Sequence, residues 1–367
     1  MKTVYSLVIA LILVSCAKPQ SPEELLAAAR QKIKEAERVE LRMDMVWESP
    51  DLGEFDTIVY SVDFRKNEEA FFGYDFFGTR DRGKNETAYF QGVKYDILHA
   101  DSTVRIEEVN DSVLIEHSML RTFNPVVLLE HEPWRYLGDT TVQGKRLLEY
   151  LWIKMDTVID ERKVYLGYHL WINPANLLPD FFSSRLYHNG AKRQRIESTY
   201  HDWKLTDTAE PFVMDFPRGY ITKMAGTTES PLLKVGVKAP DFELADADGN
   251  LVKLSDFRGK KVLLDFSIIN CGWCRIALDK FGKPDYEFAD DIVPLYINPT
   301  DSKEKLEKYQ TKVKIPFPVL ADAKQVGKDY GVYGFPTFYL INESGKVEEV
   351  TQGFYDEKIL EWKKKSE

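Results

Sequence analysis

The join at residues 262–274 constrains this chain more than any other stretch. Val262-Leu263-Leu264-Asp265-Phe266-Ser267 reads as a short buried strand. Three residues later Cys271-Gly272-Trp273-Cys274 opens a helical stretch that runs to Phe281. A strand feeding a helix is the repeating unit of an α/β sheet. A cysteine at the head of that helix meets free amide donors and the positive end of the helix dipole, and both favour a negative charge. The thiolate is the nucleophilic form of cysteine. A second thiol one turn along is close enough to attack a mixed disulfide and release its product. Gly272 leaves the approach to the sulfurs open, and Trp273 is either an exposed apolar plate or a packing residue.

Other readings of the pair stay open at this point. A zinc site needs two further ligands, but the third cysteine is Cys16 and all six histidines lie at or before His201. A structural disulfide across two residues closes a very small loop and adds little by loop entropy. Two free buried thiols are the remaining choice. Thiol–disulfide chemistry suits the setting best, and it calls for no cofactor and no metal.

The flanking sequence supplies the rest of an α/β sheet. Strands are expected at 292–298, 337–341 and 347–351, and helices at 302–311, 324–330 and 357–365. Residues 223–236 carry Gly, Thr, Ser and Pro without periodicity and read as a linker. Before it the texture differs. Leu25, Leu26, Ala29, Ile33 and Ala36 recur at helical spacing behind Pro22, which predicts a helix from Ser21 to about Val39. Residues 41–205 then hold short alternating runs such as Thr57–Val62 and Arg193–Tyr200. They are parted by Asp51-Leu52-Gly53, Gln91-Gly92 and Asn189-Gly190. One helix and a long antiparallel meander predict a curved sheet packed over a helix, spanning 16–222, ahead of an α/β unit at 237–367.

Lys2 and the apolar run Ser6–Val14 have the form of a secretory leader. Leu13-Val14-Ser15-Cys16 resembles the bacterial lipobox, which implies removal of residues 1–15, acylation of Cys16 and a lipid anchor facing the periplasm. In the alternative the leader is ordinary and Cys16 incidental. A dithiol outside the cytoplasm needs a dedicated electron supply, here expected from a membrane donor. The 49 basic against 59 acidic residues give a net charge of −10, which argues against holding nucleic acid by its phosphates. No apolar run reaches the roughly 18 residues of a membrane span.

In order, Gly236-Val237-Lys238-Ala239-Pro240-Asp241-Phe242, Asp248-Gly249, Leu254–Lys260, the cysteine pair and Gly334-Phe335-Pro336-Thr337-Phe338 resemble the thioredoxin-like superfamily. The likeness is to its TlpA/ResA-type group of membrane-tethered thiol–disulfide oxidoreductases. That resemblance implies a thioredoxin fold, Cys271 as attacking thiolate, Cys274 as resolving thiol and a cis peptide at Pro336. It also implies that Phe335 offers its backbone, and Trp273 its ring, to an extended client. Asp265, six residues before Cys271, stands where thioredoxin has its buried acid. Burial would raise its pKa and let it exchange a proton with Cys274, unless it is only a hydrogen-bonded structural carboxylate. Asn270 departs from the Trp usual in the group and Trp273 from the Pro common between the cysteines, a change at the position that bears on the reduction potential. The group usually reduces, so the clients expected are disulfide-bearing envelope proteins.

The N-terminal pattern, with Leu170-Trp171-Ile172-Asn173-Pro174, Leu178-Pro179 and a hairpin at Asn189-Gly190, weakly resembles LolA-like envelope lipoprotein carriers, which are helix-and-half-barrel folds. This implies a lipid or lipoprotein cargo. Five of the seven tryptophans (Trp47, Trp134, Trp152, Trp171, Trp203) lie there. They line a cavity on that reading, or form an ordinary core on the plainer one. Two other functions compete with the reductase: such an envelope lipid- or lipoprotein-binding protein, and a peroxiredoxin-type peroxidase. The peroxidase needs Pro and Thr at positions filled by Leu264 and Ile268. His131 sits between Glu130 and Glu132, but the histidines (His99, His117, His131, His169, His188, His201) show no convincing ligand spacing.

Overall fold

The computed structural model describes residues 21–70, 73–81, 83–108, 123–130, 133–159, 161–224 and 232–364. The leader, Cys16, His117, His131 and the centre of the expected linker lie outside the described residues.

Helix α1 (Pro22–Glu35) is opened by a capping box: Ser21 Oγ accepts from Glu24 N at 3.2 Å and Glu24 returns the bond to Ser21 N at 2.8 Å. It stops short of Val39 because Arg38-Val39-Glu40-Leu41-Arg42-Met43 already alternates as a strand. Six strands follow: β1 (Arg38–Ser49), β2 (Glu54–Lys66), β3 (Tyr74–Arg80), β4 (Asn85–Phe90), β5 (Val93–Leu98) and β6 (Thr103–Glu108). A short helix α2 (Pro125–Glu130) precedes β7 (Arg135–Val142), β8 (Lys145–Ile159), β9 (Arg162–Asn173), β10 (Leu178–His188) and β11 (Ala191–Thr206). Asn189 (φ 48°) and Gly190 (φ 79°) both take the left-handed conformation that the tight β10–β11 hairpin demands.

With β12 (Ile221–Met224) these strands make one sheet of twelve, in the order β12-β6-β5-β4-β3-β2-β1-β11-β10-β9-β8-β7. Two antiparallel meanders thus meet at the β1–β11 pair, and only β12 on β6 runs parallel. Lys223 and Met224, expected in the linker, belong to β12. Leu26, Ala29 and Ile33 of α1 and Val126, Leu128 and Leu129 of α2 pack on Leu41, Met43, Met45, Phe182 and Tyr200. Buried phenols tie the helix ends to the sheet, Tyr150 Oη donating to Pro22 O at 2.6 Å and Tyr200 Oη to Phe123 O at 2.7 Å. Trp134 is buried in this core, with Trp47, Trp152 and Trp203 packed against it, so four of the aromatics do ordinary core packing. The architecture is a large sheet with helices on one face.

The second unit begins with a small hairpin, β13 (Glu243–Ala245) and β14 (Leu251–Lys253). A five-stranded sheet follows: β15 (Lys261–Phe266), β16 (Ile292–Ile297), β17 (Val319–Leu320), β18 (Thr337–Ile341) and β19 (Val347–Gln352), in the order β17-β16-β15-β18-β19. β16 and β17 run parallel to β15, β18 pairs antiparallel with β15, and β19 pairs antiparallel with β18. Its helices are α3 (Gly272–Phe281), α4 (Lys303–Gln310), α5 (Lys324–Asp329) and α6 (Asp356–Glu361). Leu263 packs with Ala277, Leu278 and Phe281 of α3 and with residues of α4 and α6. Val262, Leu264 and Phe266 pack on the other face with Val326 of α5 and Tyr330. A mixed sheet layered between helices in this order is the thioredoxin-like arrangement.

Candidate active site

β15 delivers the chain to Cys271, the N-cap of α3, whose sulfur accepts from Cys274 N at 3.0 Å. Cys271 and Cys274 are joined as a disulfide with Cα atoms 5.2 Å apart. Because the helix begins here, a thiolate at Cys271 after reduction would face its unpaired amides. Both cysteines are buried, Cys271 at 7% exposure and Cys274 at 1%, so Cys271 is the less enclosed residue.

β18 pairs with β15 so that Thr337 lies opposite Phe266, which brings the Phe335–Pro336 peptide to the same end of the sheet. That peptide is cis. Pro336 O accepts from Gly353 N at 2.8 Å, and the neighbouring Phe354 ring stacks on Trp273 at 6.0 Å. Trp273 is therefore half-buried and packed, and Phe335 packs against the apolar cluster around α5.

Asp265 lies two residues from Leu263, so strand alternation places it on the α3 side of the sheet. It is fully buried, and burial pushes its pKa up to about 7 against a hydrogen bond from Ser267 Oγ that pulls it down. Its Oδ2 has no hydrogen-bond partner among the described residues. The expected buried acid is in place, beneath the helix that carries the cysteines.

What sequence reasoning missed is what lies above. Three elements of the N-terminal sheet sit on the head of α3. Trp47 Nε1 and Gln194 Nε2 each donate to Asn270 O at 2.8 Å, and the Asn270 side chain bonds Asp56. A Cβ added to Gly272 would fall 2.7 Å from Leu186 Cδ2, 2.9 Å from Gln194 Cβ and 3.3 Å from Arg193 O. Gly272 does leave an approach open, but the chain's own β10–β11 hairpin has taken it. Val164, Leu186 and Ile276 form a small buried cluster with Trp273 and Phe354 against it.

Charged groups ring that cluster. Asp279 meets Arg193 at 2.7 Å, His188 Nδ1 at 3.3 Å and Arg275 on its own helix, and Arg275 also pairs with Asp51 at 3.3 Å. Burial pushes the Asp279 carboxyl up, yet the His188 hydrogen bond and the Arg275 and Arg193 charges outweigh it and hold it below its usual range. Arg275, directly after the cysteine pair, is committed to these two carboxylates. Further out, Lys305 of α4 pairs with Asp56 at 3.2 Å and Lys308 with Glu54. Asn270 and Gly272 were the visible signals: one departs from the group's pattern, the other is a poor helix former at a helix start.

Among the described residues no cluster of three or more His, Cys, Asp or Glu side chains could hold a metal ion. No described helix is long and apolar enough to cross a membrane.

Comparison with known proteins places this geometry. The AhpC/TSA family profile matches residues 235–350. The thioredoxin-like protein YneN of Bacillus subtilis (strain 168) is 35% identical over 135 residues, covering 36% of this chain and 79% of that protein. The thiol-disulfide oxidoreductase ResA of Geobacillus thermodenitrificans (strain NG80-2) is 31% identical over 145 residues, covering 37% and 79%. Peroxiredoxin Bcp of Escherichia coli (strain K12) is 31% identical over 158 residues, covering 36% and 96%.

Proposed function

Because the chain belongs, through its C-terminal fold, to the thioredoxin-like thiol–disulfide oxidoreductases, we propose that its Cys271–Cys274 pair reduces disulfides of envelope proteins. The observation that carries this is a disulfide across one turn at the head of α3, over a buried, pKa-raised acid. In the reduced protein Cys271 attacks a client disulfide and forms a mixed disulfide, expelling one client thiolate. Cys274, giving up its proton to Asp265, then attacks Cys271 Sγ, expels the second client thiolate and restores the disulfide. Two electrons pass to the client, and an upstream thiol donor in the membrane returns them. Phe335 and Pro336 hold the client's backbone beside the sulfurs and Trp273 supplies an apolar contact.

The lipobox-like Leu13-Val14-Ser15-Cys16 supports release of residues 1–15 and a lipid anchor on Cys16, holding the protein at the periplasmic side of a bacterial membrane. We divide the chain into a strand-rich domain (16–222), a linker (223–236) and a thioredoxin-like domain (237–367). The LolA-like reading of the first domain, with an acyl or lipoprotein cargo, is supported by its single helix-bearing sheet face.

A redox titration following Trp273 fluorescence tests the reductase reading. A two-electron potential below about −230 mV supports it, and one near −120 to −180 mV makes the protein an oxidant or isomerase. The likeness to Bcp favours one second reading, a peroxidase. Leu264 and Ile268 oppose it by standing where a peroxidatic site needs Pro and Thr. Turnover of hydrogen peroxide with a thiol reductant would replace the reductase by the peroxidase.

A further inference from the structure

The part of the N-terminal sheet nearest the cysteines is built to leave them as well as to rest on them. By strand alternation Phe182, Ser184 and Leu186 share one face of β10, and Met43, Met45 and Trp47 share one face of β1. Phe182, Met43 and Met45 belong to the core under α1 and α2, whereas Leu186 meets Ile276 of α3. One face of the sheet therefore serves two partners, its own helices at one end and the thioredoxin-like fold at the other.

The two contacts differ in kind. The sheet's own core and the two clusters of the C-terminal fold are large and separate, so each unit keeps its core when the two part. Among the described residues the seam's buried apolar cluster is Val164, Leu186 and Ile276, with partly buried neighbours such as Met155 and Leu166, and Leu52 of the β1–β2 turn rests on the α3 core. Hydrogen bonds and ion pairs close around them. A small apolar centre with a charged rim is the make-up of an interface that opens, rather than of a continuous core. Its outer pairs are half-exposed, Glu54 at 39% with Lys308 at 54%, and Asp56 at 55% with Lys305 at 23%, which is the weak, screened class of ion pair.

Where the seam lies matters more than its size. A client disulfide must align with Cys271 Sγ and its chain must lie beside Gly272, yet that ground holds Leu186, Gln194 and the Arg193 carbonyl. The backbone entering the dithiol is held as well, through Asn270 O and the indole of Trp47. We propose that the β1–β2 and β10–β11 turns are a specificity element of the redox site, a self-docked cover seated on Cys271 and Gly272. It shuts the dithiol against protein disulfides until a partner displaces it. The proposal rests on the oxidoreductase reading above. Small disulfides need only the exposed edge of Cys271, whereas a protein client needs the whole seat.

The test loosens the rim of the full chain without touching either core or the two cysteines, although exchanging Asp56 also removes its bond to the Asn270 side chain. Lys305→Glu with Lys308→Glu sets four acidic groups against one another. Adding Glu54→Lys and Asp56→Lys restores the attraction with the signs exchanged. Reduced proteins are compared in their rates on insulin and on glutathione disulfide, and in their radius of gyration by small-angle scattering. The double variant should expand and reduce insulin about tenfold faster, with less than about a twofold change on glutathione disulfide. The fourfold variant should return to the wild-type values. Equal insulin rates in all three proteins, or no expansion of the double variant, overturns the cover. An equal gain on both disulfides overturns it too. If none of the three reduces either disulfide, the oxidoreductase reading falls first and takes the cover with it.

Discussion

The floor beneath the dithiol and the seam above it each shield an aspartate from water, and they treat it in opposite ways. Asp265, under α3, has one hydrogen bond from Ser267 and no cation beside it, so burial wins and its carboxyl rises to about 7. Asp279, on the outer side of the same helix, is partly buried but is met by His188, Arg193 and Arg275, and stays below its usual range. A lone buried acid holds its proton to higher pH, which is what the proposed exchange with Cys274 requires, whereas a neutralised one stays ionised among its cations. Helix α3 thus has one face towards the lone acid and another against the N-terminal sheet, where charged pairs ring a small apolar cluster.

The two sites also give opposite pH dependence. Asp265 binds a proton more tightly folded than unfolded, so its contribution to stability is present below the unfolded value of about 4 and is lost as pH rises towards 7. For Asp279 the folded value is depressed, so its contribution is present above about 4 and is lost as pH falls below it.

The largest effect should come from breaking the neutralised site. Asp279→Asn takes the shared carboxylate from Arg193 and His188 and leaves Arg275 with Asp51, and unfolding in urea at pH 7 should lose about 3 kcal/mol. An unchanged midpoint would mean that charge does not hold the seam. Asp265→Asn should act in the other direction. It removes a carboxylate ionised at a cost, so the variant should be more stable at pH 8 by on the order of 2 kcal/mol and should lose its stability slope between about pH 4 and 7. Resolution of the mixed disulfide should slow in the same variant. If its exchange rate and pH profile match wild type, Asp265 is structural only and the contrast between the two sides weakens.

Next in size is the close approach at Gly272. Gly272→Ala should cost about 1–3 kcal/mol, because its new methyl meets the Gln194 Cβ and Arg193 O that flank Leu186. Leu186→Ala should recover part of that loss, since the nearest atom belongs to the flexible Leu186 side chain. A double-mutant cycle with no coupling between the two positions would place the hairpin off the dithiol.

How much of this the residues disclose differs by region for the same reason. The span of α3 and of β18 is legible because strand, cysteine pair, helix and Pro336 follow in a local order that carries its own chemistry. Helix α2 is not, because Val126-Val127-Leu128-Leu129 is a short apolar run that suits a strand as well as a helix. An Asn124 side chain accepting from Val126 N at 3.0 Å starts the turn. The buried acid was readable from its distance to Cys271. The cover was not: Trp47, Leu186 and Gln194 come to Asn270 and Gly272 from remote strands whose pattern says only which face is inward. Position 270 lacks the group's tryptophan, and Trp47 of the other sheet now donates to its carbonyl.

The smallest effect tests whether the regions are separable at all. Ser21→Ala removes one half of the capping box of α1, which makes none of the seam's contacts, and should lower the unfolding free energy by about 1 kcal/mol. Reduction potential and insulin reduction rate should stay at wild-type values. α1 packs on Met43, Met45 and Phe182, in the same strands that carry Trp47 and Leu186. A shift in reduction rate would therefore mean that the core under α1 sets the position of the turns on the dithiol. In that case the sheet would act as one rigid lever rather than as a core with a separate rim.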